Sequence, residues 1–79
     1  MRRFHIEKNL HSVLKKLFQK DRKKYEIIWR KINEIVNSEN IERYKNLRYP
    51  LNDFKRVHID KSFVLIFKYE KKNDELFFL

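Results

Sequence analysis

The stretch Phe54-Lys55-Arg56-Val57-His58-Ile59-Asp60-Lys61-Ser62-Phe63-Val64-Leu65-Ile66-Phe67-Lys68-Tyr69 decides the fold. From Phe54 to Ile59 the residues alternate. Val57 and Ile59 fall on one side and Arg56 and His58 on the other, as in a strand with one wet face. Asp60-Lys61 reads as a tight turn. Ser62 to Tyr69 is apolar on both faces, with Phe63, Leu65 and Phe67 against Val64 and Ile66, which predicts a central strand covered on both sides.

Working outward, Lys71 to Asp74 forms the next turn, with Asn73 placed to take the left-handed conformation in a chain that has no glycine. Glu75 to Leu79 begins a last strand, and the sequence stops inside it without a polar tail, which reads as a domain truncated in that strand. Upstream, Asn52-Asp53 marks a turn and Pro50 biases Tyr49 toward extended geometry. Ile41, Tyr44 and Leu47 fit either a helical turn or an extended loop. Leu10, Val13, Leu14, Leu17 and Phe18 recur at helical spacing, predicting a helix over 8–20. Tyr25, Ile28, Trp29, Ile32, Ile35 and Val36 predict a second over 22–37, with Asp21 as its N-cap. The short break makes the two an antiparallel hairpin. Arg2 to Ile6 alternates as a short first strand. The order β-α-α-β-β-β describes an α+β fold in a single domain of residues 1–79: an N-terminal strand and a helical hairpin packed on a small antiparallel sheet.

Composition narrows the function. Leu, Ile, Val and Phe supply 27 of the 79 residues, enough for a packed core in a chain this short. The absence of cysteine excludes disulfide scaffolds and thiol catalysis. The absence of glycine excludes the phosphate-cradling Walker and dinucleotide loops. No apolar run approaches the roughly 20 residues needed to span a bilayer, and Met1-Arg2-Arg3-Phe4-His5 lacks the apolar core of a secretory signal. These point to a cytoplasmic protein without a membrane role. A net charge of +9 favours polyanionic partners, although a lysine-rich solvated surface would produce the same balance.

No histidine spacing fits a metal site, so no metal and no cofactor are expected. His5 and His11 read as structural or surface residues. His58 shares a face with Arg56 and, if the strand persists, with Asp60. A cation, an imidazole and a carboxylate on one face can bind phosphate and move a proton, or can simply be solvated. Lys45, Arg48, Lys55, Arg56, Lys61 and Lys68 interleave with Tyr44, Tyr49, Phe54, Phe63 and Tyr69, the mixture that single-stranded RNA recognition uses. A second basic run, Lys15, Lys16, Lys20, Arg22, Lys23 and Lys24, is either a solvated face or a docking surface for an acidic partner or a nucleic-acid backbone.

The passage Leu47-Arg48-Tyr49-Pro50-Leu51-Asn52-Asp53-Phe54-Lys55-Arg56-Val57-His58-Ile59-Asp60, continued by Ser62 to Tyr69, resembles the RelE/ParE toxin superfamily, most closely its YafQ-like branch. The resemblance implies the toxin of a type II toxin–antitoxin pair. Such a toxin is a metal-independent endoribonuclease that cleaves mRNA on the ribosome by 2′-hydroxyl attack and is neutralised by an acidic antitoxin. It implies His58 in the catalytic site, with Lys55 near the scissile phosphate and Asp60 beside them. Lys45, Arg48, Tyr49, Arg56, Phe63 and Lys68 are then the candidate RNA contacts. Lys55 and His58 can act together only if the strand carries a bulge. This chain departs from the family pattern at Tyr49, Ser62 and Phe63, where the branch has histidine, aspartate and tryptophan, and the family's further catalytic positions lie beyond Leu79. Two alternatives remain: a ParE-like topoisomerase inhibitor, and a catalytically inactive RNA-binding module.

Overall fold

The computed structural model describes residues 2–79; Met1, the start of the basic N-terminus, lies outside them. The elements run β1 (Arg3–Ile6), α1 (Lys8–Lys20), α2 (Arg22–Val36), a 3-10 turn (Ile41–Arg43), β2 (Phe54–His58), β3 (Val64–Glu70) and β4 (Glu75–Phe78). The α+β class and the element order are those expected from the sequence. The helices start and end where the hydrophobic stripes do. Asp21 caps α2, its Oδ1 accepting from the Lys24 backbone N–H at 3.1 Å.

The four strands form one sheet in the order β1-β4-β3-β2. β2–β3 and β3–β4 are antiparallel hairpins, whereas β1 lies parallel to β4, so the sheet is mixed. The chain leaves β1 through both helices before it returns, and a connection that long permits a parallel neighbour. At the turn between β3 and β4 the positive φ falls on Asp74, at 52°, rather than on Asn73.

The helices cover one face of the sheet only. Leu10, Leu14, Ile28, Ile32, Ile35 and Val36 meet Leu65, Phe67, Leu76 and Phe78 in one buried cluster, which Ile41 completes. Phe67 sits at its centre, edge-on to Tyr44 and tilted against Phe78. β3 is therefore central but not covered on both sides. Val64 is exposed and Ile66 half-buried on the face away from the helices. Their apolar character reflects an open face rather than a second layer.

Tyr69 ties the end of β3 to the following turn. Its hydroxyl donates to Asp74 Oδ1 at 2.7 Å, and Arg2 Nε donates to the same oxygen at 2.7 Å. These donors hold the Asp74 carboxyl below its ordinary value of 3.8. Folding thus favours the ionised form. The contribution is complete above about pH 5 and is lost as the pH falls through the ordinary and then the depressed value. Asp74→Asn, which keeps the shape and tolerates positive φ, is expected to show a smaller drop in melting temperature between pH 7 and pH 3 than the parent chain. An unchanged drop would assign the acid sensitivity elsewhere.

Candidate nucleic-acid interface

Alternation along each strand decides what the open face carries. β2 presents Phe54, Arg56 and His58, and β3 presents Val64, Ile66, Lys68 and Glu70. β4 adds Glu75 and Phe77, and β1 adds Arg3 and His5. Register aligns them in rows. Phe54 lies opposite Lys68, Lys68 opposite Phe77, and Phe77 opposite His5. Arg56 lies opposite Ile66, and His58 opposite Val64. Side chains two apart on one strand stand about 7 Å from each other, so the Arg56 and His58 heads can reach one phosphodiester. The His5 ring stacks on Phe77 with centroids 4.9 Å apart, and its Nε2 lies 2.5 Å from Glu75 Oε2.

His58, Arg56 and Lys68 thus share one exposed face. Lys55 does not. The β2–β3 register runs unbroken from Phe54↔Lys68 to His58↔Val64, so no bulge turns Lys55 toward His58. Lys55 points to the inner side and is only 4% exposed. Its Nζ donates to the Tyr44 carbonyl at 3.1 Å and to Asn46 Oδ1 at 2.7 Å, with Glu42 Oε2 at 3.6 Å. A buried ammonium is tolerated when its donors are satisfied, and here they clamp the 42–46 segment to β2. Lys55→Met is expected to cost about 1–3 kcal/mol in urea unfolding, because the Tyr44 carbonyl and Asn46 lose their donor. Unchanged stability would show that the clamp is dispensable.

Asp60 is also drawn away from His58. The strand ends at His58, so alternation does not extend to Asp60. Its Oδ1 accepts from the Ser62 N–H at 2.8 Å and from the Ser62 hydroxyl at 3.1 Å, and Lys24 Nζ lies 3.6 Å from Oδ2. The Ser62 hydrogen bonds, with Lys24 adding to them, hold the Asp60 carboxyl below its ordinary range. An ionised carboxylate accepts hydrogen bonds but has no proton to give. Asp60 organises the turn.

Phe63 is half-buried against the core, with Lys24 Nζ 5.9 Å from its ring centre, and so is not presented as a stacking surface on the open face. The 45–47 segment pairs with the free edge of β2, through Lys45 O to Arg56 N and Leu47 N to Phe54 O. Lys45, Arg48 and Tyr49 are all exposed on this flanking loop, and Tyr49 is 87% exposed beside the cis Tyr49–Pro50 peptide. Phe54 was one of the interleaved aromatics of the sequence, but Phe77, His5 and Glu70 carried no signal that placed them on this face. Only the register of β4 against β3 and β1 brings them together. A concavity of about 270 Å³ opens among Glu7, Phe54, Lys68, Glu70, Phe77 and Leu79.

A second hollow, of about 500 Å³, lies on the helical side among Leu14, Phe18, Tyr25 and Trp29, with His11 and Lys15 at its rim. Its walls are mostly apolar and it holds none of the expected site residues. The basic run on the helical hairpin is exposed except at Lys24, which is half-buried. Among the described residues no three His, Asp or Glu side chains cluster as metal ligands would, and no helix is long and apolar enough to cross a membrane.

A helical hairpin backing a four-stranded sheet, with imidazole, guanidinium and ammonium on the bare face, defines a small basic α+β protein whose open sheet face is cationic along β2 and β3. Over 74 residues the chain is 50% identical to a curated protein named "Putative toxin RelE4" from Methanocaldococcus jannaschii, a match covering 94% of this chain and 77% of that protein. It is 48% identical over 68 residues to an uncharacterized protein of Methanosarcina mazei, covering 86% of this chain and 77% of the other. The chain belongs to the RelE toxin family. No family model matches it, and no solved structure matches it.

Proposed function

We propose that residues 1–79 are one RelE-like unit, and that it is the toxin of a toxin–antitoxin pair, acting in the cytoplasm as a metal-independent endoribonuclease on ribosome-associated mRNA. The observation that carries this reading is the grouping of His58, Arg56 and Lys68 on the open sheet face of a RelE-family chain. A YafQ-like relationship rests on the 49–69 passage alone.

The chemistry follows from those groups. A base removes the proton of a ribose 2′-hydroxyl, and that oxygen attacks the adjacent phosphorus. The O2′–P bond forms and the P–O5′ bond breaks, with a proton delivered to the departing 5′-oxygen. The products are a 2′,3′-cyclic phosphate and a 5′-hydroxyl. An imidazole can both accept and donate a proton, which suits His58 to the proton transfers. Arg56 and Lys68 offset the charge that builds on the phosphorane. Lys45, Arg48 and Tyr49 extend the cationic track along the flanking loop. Lys55 and Asp60 act through the fold rather than on the phosphate. An acidic antitoxin that covers this face would silence it by charge complementarity.

The test is inducible expression in cells with mapping of transcript 5′ ends, for the wild type and His58→Ala, each with and without the acidic protein encoded beside this gene. Growth arrest with new mRNA ends, abolished by the substitution and by the neighbour, is the expected result. Arrest without new ends would replace this reading with a ParE-like topoisomerase inhibitor. No arrest, with RNA binding retained, would leave an inactive RNA-binding module.

A further inference from the structure

We infer that the concavity between Phe54 and Phe77 is a subsite for one unstacked nucleobase, and that it favours guanine. The inference rests on RNA being the ligand of this face, as proposed above. The concavity, at about 270 Å³, is smaller than the roughly 300–1,000 Å³ of pockets that enclose drug-sized ligands, a size for one base rather than two. Its sides are Phe54 and Phe77, which flank Lys68 in a single cross-strand row. Aromatic faces are what a base pulled from its stack settles on.

Lys68, Glu7 and Glu70 line the concavity, further cations lie beside it, and this arrangement orients the ligand. Arg56 and His58 lie along β2, and the carboxylates Glu7 and Glu70 border the concavity. A phosphate is drawn to the first group and repelled by the second. Glu70 and Glu7 lie on opposite sides of the Lys68–Phe77 row, so the nucleotide lies with its phosphate over β2 and its base toward Glu7.

Glu7 stands at the N-cap position of α1, yet its side chain makes no capping hydrogen bond, which leaves its carboxylate open to a ligand. Glu70 is held by Asn73, whose Nδ2 donates to Oε1 at 2.7 Å. A carboxylate accepts two parallel N–H bonds, and an ammonium donates to a carbonyl. Guanine alone presents two adjacent N–H donors, N1 and N2, next to a carbonyl acceptor, O6. Adenine and cytosine set a bare ring nitrogen beside their amino group, and uracil flanks its single N–H with carbonyls. Each of these three would turn an acceptor toward Glu7.

The experiment measures binding of labelled 2′-O-methyl uridine heptamers with a central G, A, C or U by fluorescence anisotropy. These strands cannot be cleaved by 2′-hydroxyl attack. The G heptamer is expected to bind about 10-fold more tightly than the others, the scale of one bidentate base contact. In Glu7→Gln that preference is expected to fall to about twofold or less, while affinity for the other three changes little. Equal affinity for all four, a preference that survives Glu7→Gln, or no binding to any heptamer would overturn the inference. A guanine preference in a chain that cuts no RNA would remove the nuclease reading and leave the subsite. Cleavage without base preference would do the reverse.

Discussion

His58→Ala is expected to slow cleavage of single-stranded RNA by about 10²–10⁴-fold, the range a positioned acid or base contributes. The side chain is exposed at the end of β2, and replacing an exposed side chain of this kind usually changes stability by less than about 0.5 kcal/mol. The thermal transition should therefore stay in place while activity falls, and this separation gives the prediction its force. His58→Gln should not restore the rate, because an amide can hydrogen-bond but cannot exchange a proton at neutral pH. Arg56→Ala should weaken binding as well as rate, since it removes the phosphate contact proposed for this guanidinium. The measurement is cleavage of an end-labelled RNA by purified protein, on the ribosome and free of it, beside a melting curve for each variant. Equal rates for His58→Ala and the parent would remove His58 from the chemistry.

Phe67→Ala is expected to lower stability by about 3–5 kcal/mol, because the ring is fully buried and the cavity cannot collapse between two aromatic neighbours. At about 0.05–0.15 kcal/mol per residue, a chain of this length has a total of only about 4–12 kcal/mol. One side chain thus carries a large share of the stability. A shift of about 4–8 °C per kcal/mol in a domain of this size places the expected drop in melting temperature at roughly 12–40 °C. Leu51→Ala, at an exposed loop position, should move the transition by no more than a few degrees. Circular dichroism on both variants checks the pair. A small effect at Phe67 would mean that the sheet and helices are not closed around it.

The sequence was most informative where one physical period acts alone. Both helices emerge from the 3.6-residue recurrence of Leu10 to Phe18 and Tyr25 to Val36, and Asp21 between them has the side chain that a cap requires. Arg56 and His58 fall on one face and Val57 on the other through the two-residue period of a strand. The errors come from residues whose environment depends on distant chain. Val64 and Ile66 carry the same apolar signal whether a second layer covers them or they floor an open face. Lys55 has the charge of a ligand contact, yet the 42–46 segment folds back to bury it. Asp60 is two residues beyond His58, but Ser62 and the helix-borne Lys24 redirect it.

Local periodicity and capping were enough to determine the two helices, the four strands, their order and the positively charged strand face, because those depend on neighbours within a few residues. The 49–69 passage also carried the family. The tertiary structure alone decided that β1 inserts beside β4 in parallel, that the sheet is bare on one side, and that Phe54, Lys68, Phe77 and Glu7 border one concavity. Those outcomes depend on register between strands up to about 70 residues apart, which no local pattern encodes.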